Sequence, residues 1–516
     1  MSEQLSLLPN YLTAHLQLTL LALFFSTALS LPLGIMITRV RWLEQPVLAI
    51  AAVIQTIPSL ALLAIMVVIL ASLQLQSIGF LPAIIGLTLY GILPVLRNTV
   101  TAITNVDPAL KEAAKGVGMT SLQQLRRVEL PMAMPIIVAG VRTSTVLVVG
   151  IATLSTPVGA TSLGNYIFSG LQTRNFTAVL VGCVGAAVLA LVLDGLVRAI
   201  EVSVRNRHRT GLLLSLSLLG TLYAYTLITL ASDFRREGPD PVTIGSKTFT
   251  EQYILSELMA QQIEQTTGNL TRVVQSLGST VAFNALESGE IDLYVDYSGT
   301  IWTTIMGRNN FPSDKIGVLY RIKQFLQTEH DISLVGVLGF ENAYTLAMRE
   351  QQAESLDIRR TSDLIPHASR LSIGSDYEFF AREEWAIIQQ EYGLNFANFR
   401  SMDSSLMYQA VTQGTVDVIS AFSTDGRIAA LNLRILEDDL HVIPPYDAVM
   451  LANGKFVRER PQVITALQYL GNTIDANLMQ RMNLKVDEQG LSPSEVAETF
   501  LRTLDSYETR ATVTNP

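Results

Sequence analysis

The apolar positions of the chain change character near residue 232. Before that point they run in stretches long enough to cross a bilayer core, which takes about 20 helical residues. Six such stretches predict membrane-spanning helices, at 16–37, 46–70, 78–99, 133–156, 177–200 and 211–231. No basic residue precedes the first, and no small-residue cleavage site leads from it into a soluble domain, so it is expected to be a retained helix. Pro82, Gly86, Gly91 and Pro94 in the third predict a kinked helix packed against neighbours. After residue 241, short strand-like runs at 242–244, 291–295, 334–337, 371–373, 416–419 and 441–443 alternate with amphipathic helical stretches. Thr248-x-x-Glu251 predicts a capping box opening a helix that buries Ile254, Leu255, Leu258, Met259 and Ile263. The alternation predicts an α/β domain, and about 275 residues suffice for two lobes around a cleft.

Charge sharpens the division. Of 36 Lys+Arg and 45 Asp+Glu, residues 1–232 hold 13 and 7, a net +6, and residues 233–516 hold 23 and 38, a net −15. Twenty charges in 232 residues fall far below the roughly 25% of an ordinary soluble domain, whereas 61 in 284 do not. These counts exclude a single soluble globule, a disordered chain and a nucleic-acid binder. Cys183 is the lone cysteine and the 5 histidines show no metal-ligand spacing, so neither a disulfide framework nor a metal site is expected.

The basic residues also predict the orientation. Arg39 and Arg41 follow the first stretch, Arg97, Lys111, Lys115, Arg126 and Arg127 the third, and Arg198, Arg205, Arg207 and Arg209 the fifth, while the other connections hold only Arg174. Cytoplasmic loops carry the excess of Lys and Arg, so both termini are expected outside, in a multi-pass membrane protein. Asp194 and Arg142 lie inside predicted spans but near enough to the cytoplasmic interface to snorkel or pair. Residues 232–241 read as a linker reaching at most about 33–36 Å, which would keep the external domain close to the membrane.

The loop at 105–131 is patterned. Asp107 before Pro108 predicts a helix start, Gly116 and Gly118 a break, and Ser121 a second cap on a helix ending at Pro131. Two short helices joined by a glycine elbow suit docking into a groove on another protein. The spacing Glu112-Ala113-Ala114, three residues, Gly118, nine residues, Val128 and Leu130-Pro131 resembles the EAA loop of ABC-importer permeases. The resemblance implies a helix that couples to an ATP-hydrolysing partner subunit. No GxxxxGK[ST] loop occurs, so the chain is expected to be no enzyme and to bind no cofactor, with ATP used by that partner.

The second half resembles the substrate-binding proteins for glycine betaine, choline, carnitine and related quaternary amines. The resemblance lies in Gly245-Ser-Lys-Thr-Phe-Thr-Glu-Gln-Tyr-Ile, Leu293-Tyr-Val-Asp-Tyr-Ser-Gly-Thr, Asn342-Ala-Tyr-Thr-Leu-Ala-Met, Gly374-Ser-Asp-Tyr-Glu-Phe-Phe-Ala-Arg, Ala421-Phe-Ser-Thr-Asp-Gly-Arg and Leu436-Glu-Asp-Asp with Pro444-Pro-Tyr. Together the two resemblances imply a six-helix, type I ABC importer permease-like domain at 1–231 and a two-lobed, type II periplasmic-binding-protein-like α/β domain at 242–516. A permease fused to such a domain occurs among osmoprotectant importers and, in a close branch, ergothioneine importers. The expected function is ATP-driven import of betaine-type osmoprotectants; the alternatives are ergothioneine or another betaine-like amino acid and, from another class, a ligand-gated receptor or channel, against which the EAA loop argues. Six spans are about half the usual pathway, so a homodimer is expected, and fusion raises the receptor's effective concentration to roughly millimolar.

A trimethylammonium group donates no hydrogen bond, so its selection rests on shape and on cation–π attraction of about 0.5–2 kcal/mol per aromatic face. The resemblance implies a cage of Tyr297, Tyr344, Phe422 and Tyr446, with Lys247, Thr300 and Arg382 holding the ligand's carboxylate and Tyr377 and Asp425 as neighbours. Two departures stand out: Phe422 replaces a tyrosine found there in some relatives, and Glu383-Glu-Trp-Ala follows Arg382 in place of a Pro-Asp-Gly-type turn.

Overall fold

The computed structural model describes residues 2–73, 75–173, 175–234, 241–308, 315–440, 442–443 and 445–513. The chain divides into two compact units, one formed by Met1–Phe168 with Thr177–Pro239 and the other by Asp240–Pro516 with Ser169–Phe176. The helix ahead of the expected linker runs to Phe234, and residues 235–240 lie outside the described residues.

In the first unit, five helices among the described residues are long and apolar enough to span a membrane: Leu7–Arg39, Phe80–Thr104, Ser121–Val158, Phe176–Arg205 and Arg209–Ser232. The second expected span is not one helix. It is broken into Arg41–Thr56 and Ser59–Ser72, bent by 102°, so six spans result only if this pair counts as one. The break falls at Ile57-Pro58. Proline has no N–H to continue the helix and drives its predecessor out of helical geometry, and Ile57 is extended at ψ 129°. Phe80–Thr104 is the most buried of the five and packs against the first helix and Leu130–Ala152. Gly91 permits that approach, since a Cβ there would stand 2.8 Å from Ser26 Oγ and 2.9 Å from Ser144 Oγ. The two intramembrane charges pair: Arg142 donates to both oxygens of Asp194, at 2.6 and 2.9 Å, which offsets their removal from water.

Asp107 caps the helix Pro108–Gly116 by accepting from the Ala109 N–H at 2.8 Å, and Gly118 makes the turn at φ +80°. The next cap is Thr120 rather than Ser121, in a capping box with Gln123. That helix does not end at Pro131. A π-helical turn over Leu125–Glu129 widens the coil and carries it into Leu130–Ala152, which absorbs the proline's missing donor. Glu129 on this turn is fully buried, accepting from Gln124 Nε2 at 2.7 Å and from the Arg39 guanidinium.

The described residues of the second unit form two five-stranded sheets. Strands β1 (Val242–Lys247), β2 (Thr271–Leu277), β3 (Leu293–Tyr297), β4 (Ile332–Glu341) and β10 (Asp447–Asn453) form the first, in the order β2-β1-β3-β10-β4. Strands β5 (Tyr344–Arg349), β6 (Ser372–Ser375), β7 (Asn398–Ser401), β8 (Val418–Phe422) and β9 (Leu433–Leu436) form the second, in the order β7-β6-β8-β5-β9. The chain passes between lobes twice, from β4 to β5 and from β9 to β10. Five of the expected strands appear; the run at 441–443 is no strand at Val442 and Ile443, and His441 lies outside the described residues. The expected capping box is absent. The helix is Thr250–Thr267 with Phe249 at its N-cap, so Glu251 sits inside the first turn and is drawn into the interior. The apolar face is as expected, with Ile254, Leu255, Leu258, Met259 and Ile263 each at most 1% exposed.

Candidate binding site

Four aromatic side chains stand at strand ends, two of them at the crossings between lobes. Tyr297 closes β3, Tyr344 opens β5, Phe422 closes β8 and Tyr446 directly precedes β10. Register brings them together: Tyr344 pairs with Phe422 across β5 and β8, and Tyr297 with Ala448 across β3 and β10. The Tyr344 ring centroid is 5.0 Å from that of Phe422 and 5.8 Å, edge on, from that of Tyr446. Phe249, which the sequence reading omitted, lies between the others, 6.0 Å from Phe422 and 6.1 Å from Tyr297. Its signal is its place in the Gly245–Ile254 segment that carries the resemblance. Gly299 lets the Tyr446 ring lie flat on the backbone, because a Cβ there would stand 2.6 Å from that ring.

The polar candidates differ in what they leave open. Lys247 is bound to Asp296, which also accepts from Tyr294 at 2.6 Å, and its ammonium lies 5.6 Å from the Tyr297 ring centre. Thr300 is buried in the turn after β3. Arg382 donates from Nη2 to Glu378 at 2.5 Å and lies 5.5 Å from the Tyr344 ring centre. Its Nη1 is buried with no partner among the described residues. Asp425 is spoken for by Arg427, in contacts of 2.5–3.1 Å. Tyr377 is 67% exposed and lies outside the aromatic cluster.

Behind the rings sits Glu251. Its Oε1 accepts from Tyr297 at 2.5 Å and Asn342 at 3.0 Å, and its Oε2 from Thr424 at 2.5 Å and Asn483 at 3.4 Å. Burial pushes this carboxyl's pKa up, against the pull of those four donors, and burial pushes the phenols of Tyr297, Tyr344 and Tyr446 well above their usual range. The rings therefore meet a ligand as neutral π faces. Glu384, at 2% exposure, accepts from the Tyr446 hydroxyl and from Thr303 at 3.0 Å. The departure after Arg382 was its only trace in the sequence.

A unit of apolar helices joined in one chain to a two-lobed α/β domain with an aromatic cluster at its strand ends defines a subunit of a binding-protein-dependent transport system. The chain belongs to that family: residues 240–503 match the substrate-binding domain of the ABC-type glycine betaine transport system, and residues 30–206 match the binding-protein-dependent transport system inner membrane component. It is 29% identical over 462 residues to the ergothioneine transport permease/ergothioneine binding protein of Helicobacter pylori (strain G27), covering 87% of this chain and 82% of that one. It is 40% identical over 188 residues to the osmoprotectant import permease protein of Salmonella typhimurium (strain LT2), covering 36% of this chain and 87% of that one. Among solved structures, a glycine betaine/carnitine/choline ABC transporter aligns at 31% identity and a TM-score of 0.45, over 51% of this chain and 98% of that one. The protein is thus an inner-membrane transport subunit rather than an enzyme, and its family implies an ATPase partner and a small-molecule ligand.

Proposed function

We propose that this chain is the permease and receptor subunit of an ATP-driven importer for betaine-type osmoprotectants such as glycine betaine, proline betaine, choline and carnitine. The observation that carries the reading is the convergence of Tyr297, Tyr344, Phe422 and Tyr446, with Phe249, beside a buried Arg382 Nη1 that has no partner among the described residues. Neutral rings attract a quaternary ammonium by about 0.5–2 kcal/mol per face. The open guanidinium donor suits the carboxylate at the ligand's other end. Thr300 lies close in sequence to Tyr297, and Lys247, already neutralised by Asp296, contributes orientation more than net charge.

In this reading the binding domain and both termini are extracytoplasmic, two copies form the pathway, and the loop bearing Glu112, Ala113, Ala114, Gly118, Leu130 and Pro131 faces the ATPase. Glu112, Ala113 and Gly118 are exposed, with Val117 at 74% and Leu122 at 57%, which supports a docking role for this loop. Calorimetry on the full chain in detergent with glycine betaine, proline betaine, choline, carnitine and ergothioneine should detect a micromolar ligand, about −8 kcal/mol. No binding across that panel sinks the proposal. A second reading, import of ergothioneine, is favoured by the similarity to the Helicobacter pylori protein, which runs through both units of the chain. Tightest binding of ergothioneine in the same panel would select it. Ligand-evoked current from the chain alone, without ATP, would instead mark a channel.

A further inference from the structure

Glu384 gives the site a feature that a cage for trimethylammonium does not need. It lies in the first turn of the helix Glu383–Tyr392, in the lobe of β5–β9, and is 2% exposed. Both donors it receives, the Tyr446 hydroxyl and the Thr303 Oγ1, come from the other lobe, and both fall on Oε1. No hydrogen bond to its Oε2 is present among the described residues, and that oxygen is not among the fully buried unpartnered atoms, so it keeps some accessible surface. The carboxylate also acts electrostatically on Tyr344, so its field reaches two walls of the aromatic cluster. A buried carboxylate is costly unless it is paired and hydrogen-bonded. The helix N-terminus and two neutral hydroxyls offset part of that cost, and one oxygen retains its full accepting capacity.

Trimethylammonium has no N–H or O–H to offer that oxygen. We propose that Glu384 is a specificity-determining residue which selects betaine-like substrates carrying an N–H or O–H donor at or beside the cationic centre. The inference rests on the betaine reading of the site and names the substrate class within it.

The test is a two-by-two comparison on the full chain by calorimetry: wild type and Glu384→Gln against glycine betaine and N,N-dimethylglycine. These ligands differ by one methyl, replaced in the second by an N–H on the ammonium. A hydrogen bond to a charged group predicts that Glu384→Gln weakens dimethylglycine relative to glycine betaine by about tenfold or more. A relative shift under about threefold overturns the proposal. So does an equal loss for both ligands, which would mark Glu384 as a strut between lobes. If the Gln variant fails to fold, Glu384→Asp keeps the charge, withdraws the acceptor and should move the ratio in the same direction by a smaller factor. Failure of the wild type to bind either ligand or any other betaine overturns the function itself; binding with an unchanged ratio overturns only the role of Glu384.

Discussion

Tyr297 joins two tasks that two substitutions can separate. Its hydroxyl donates to Glu251 at 2.5 Å and accepts from Gln252 Nε2 at 3.1 Å, while its ring belongs to the aromatic cluster. Tyr297→Phe keeps the π face and removes one of four donors to a fully buried carboxyl. Loss of a hydrogen bond to a charged group costs about 1.5–3 kcal/mol. Each kcal/mol moves the midpoint by roughly 2–4 °C in a domain of this size, so the thermal midpoint of the binding domain should fall by about 3–12 °C. Ligand affinity should change by less than about threefold. Tyr297→Leu removes the face as well, and one cation–π contact of about 0.5–2 kcal/mol corresponds to a further loss of about 2- to 30-fold in affinity. Thermal unfolding and calorimetry on the same full-chain preparation measure both effects. If Phe weakens binding as much as Leu does, the hydroxyl rather than the ring recognises the ligand. If Leu leaves affinity intact, Tyr297 is no part of the cage.

Three further predictions follow from single groups. Arg382→Met should weaken glycine betaine by about tenfold or more and leave choline, which has no carboxylate, within about threefold, as read by calorimetry. Burial raises the pKa of Asp487 from 3.8 to about 7, against the attraction of Arg427. With the folded-state value above the unfolded one, this group's contribution to stability is full below about pH 4 and is lost as pH rises through about 7. Asp487→Asn should therefore raise the thermal midpoint at pH 8 and leave it nearly unchanged at pH 4. Gly118 is at φ +80°, and a Cβ there would meet nothing within 4 Å, so Gly118→Ala adds only backbone strain of about 1–2 kcal/mol. Co-purification of the partner ATPase should weaken while ligand affinity stays constant.

The features legible along the chain are those set by near neighbours. A long apolar run predicts a membrane helix because the bilayer demands length and internal hydrogen bonding, which few residues need cooperation to supply. The same local logic overlooked one proline: Ile57-Pro58 interrupts a run whose hydropathy gives no hint of a 102° bend. Thr248 and Glu251 have the spacing of a capping box, yet Glu251 turns inward, because four donors in the interior outweigh one backbone N–H at a helix end. Strands β2, β5 and β10 also fall outside the expected runs, and β7 and β9 do so because edge strands of four residues carry too little apolar alternation to stand out.

By itself the sequence determined the division into an apolar helical part and an acidic α/β part, and through the family resemblance it pointed to four of the clustered aromatic residues. Only the tertiary structure decided which groups meet. Glu251 collects donors 46, 91, 173 and 232 residues away, and Glu384 receives hydroxyls from the opposite lobe. Those pairings depend on two sheets and two crossings being in place at once. Periodicity and motif spacing record what each segment needs from water or lipid, whereas a buried carboxylate's partners are chosen by where the fold leaves donors without water.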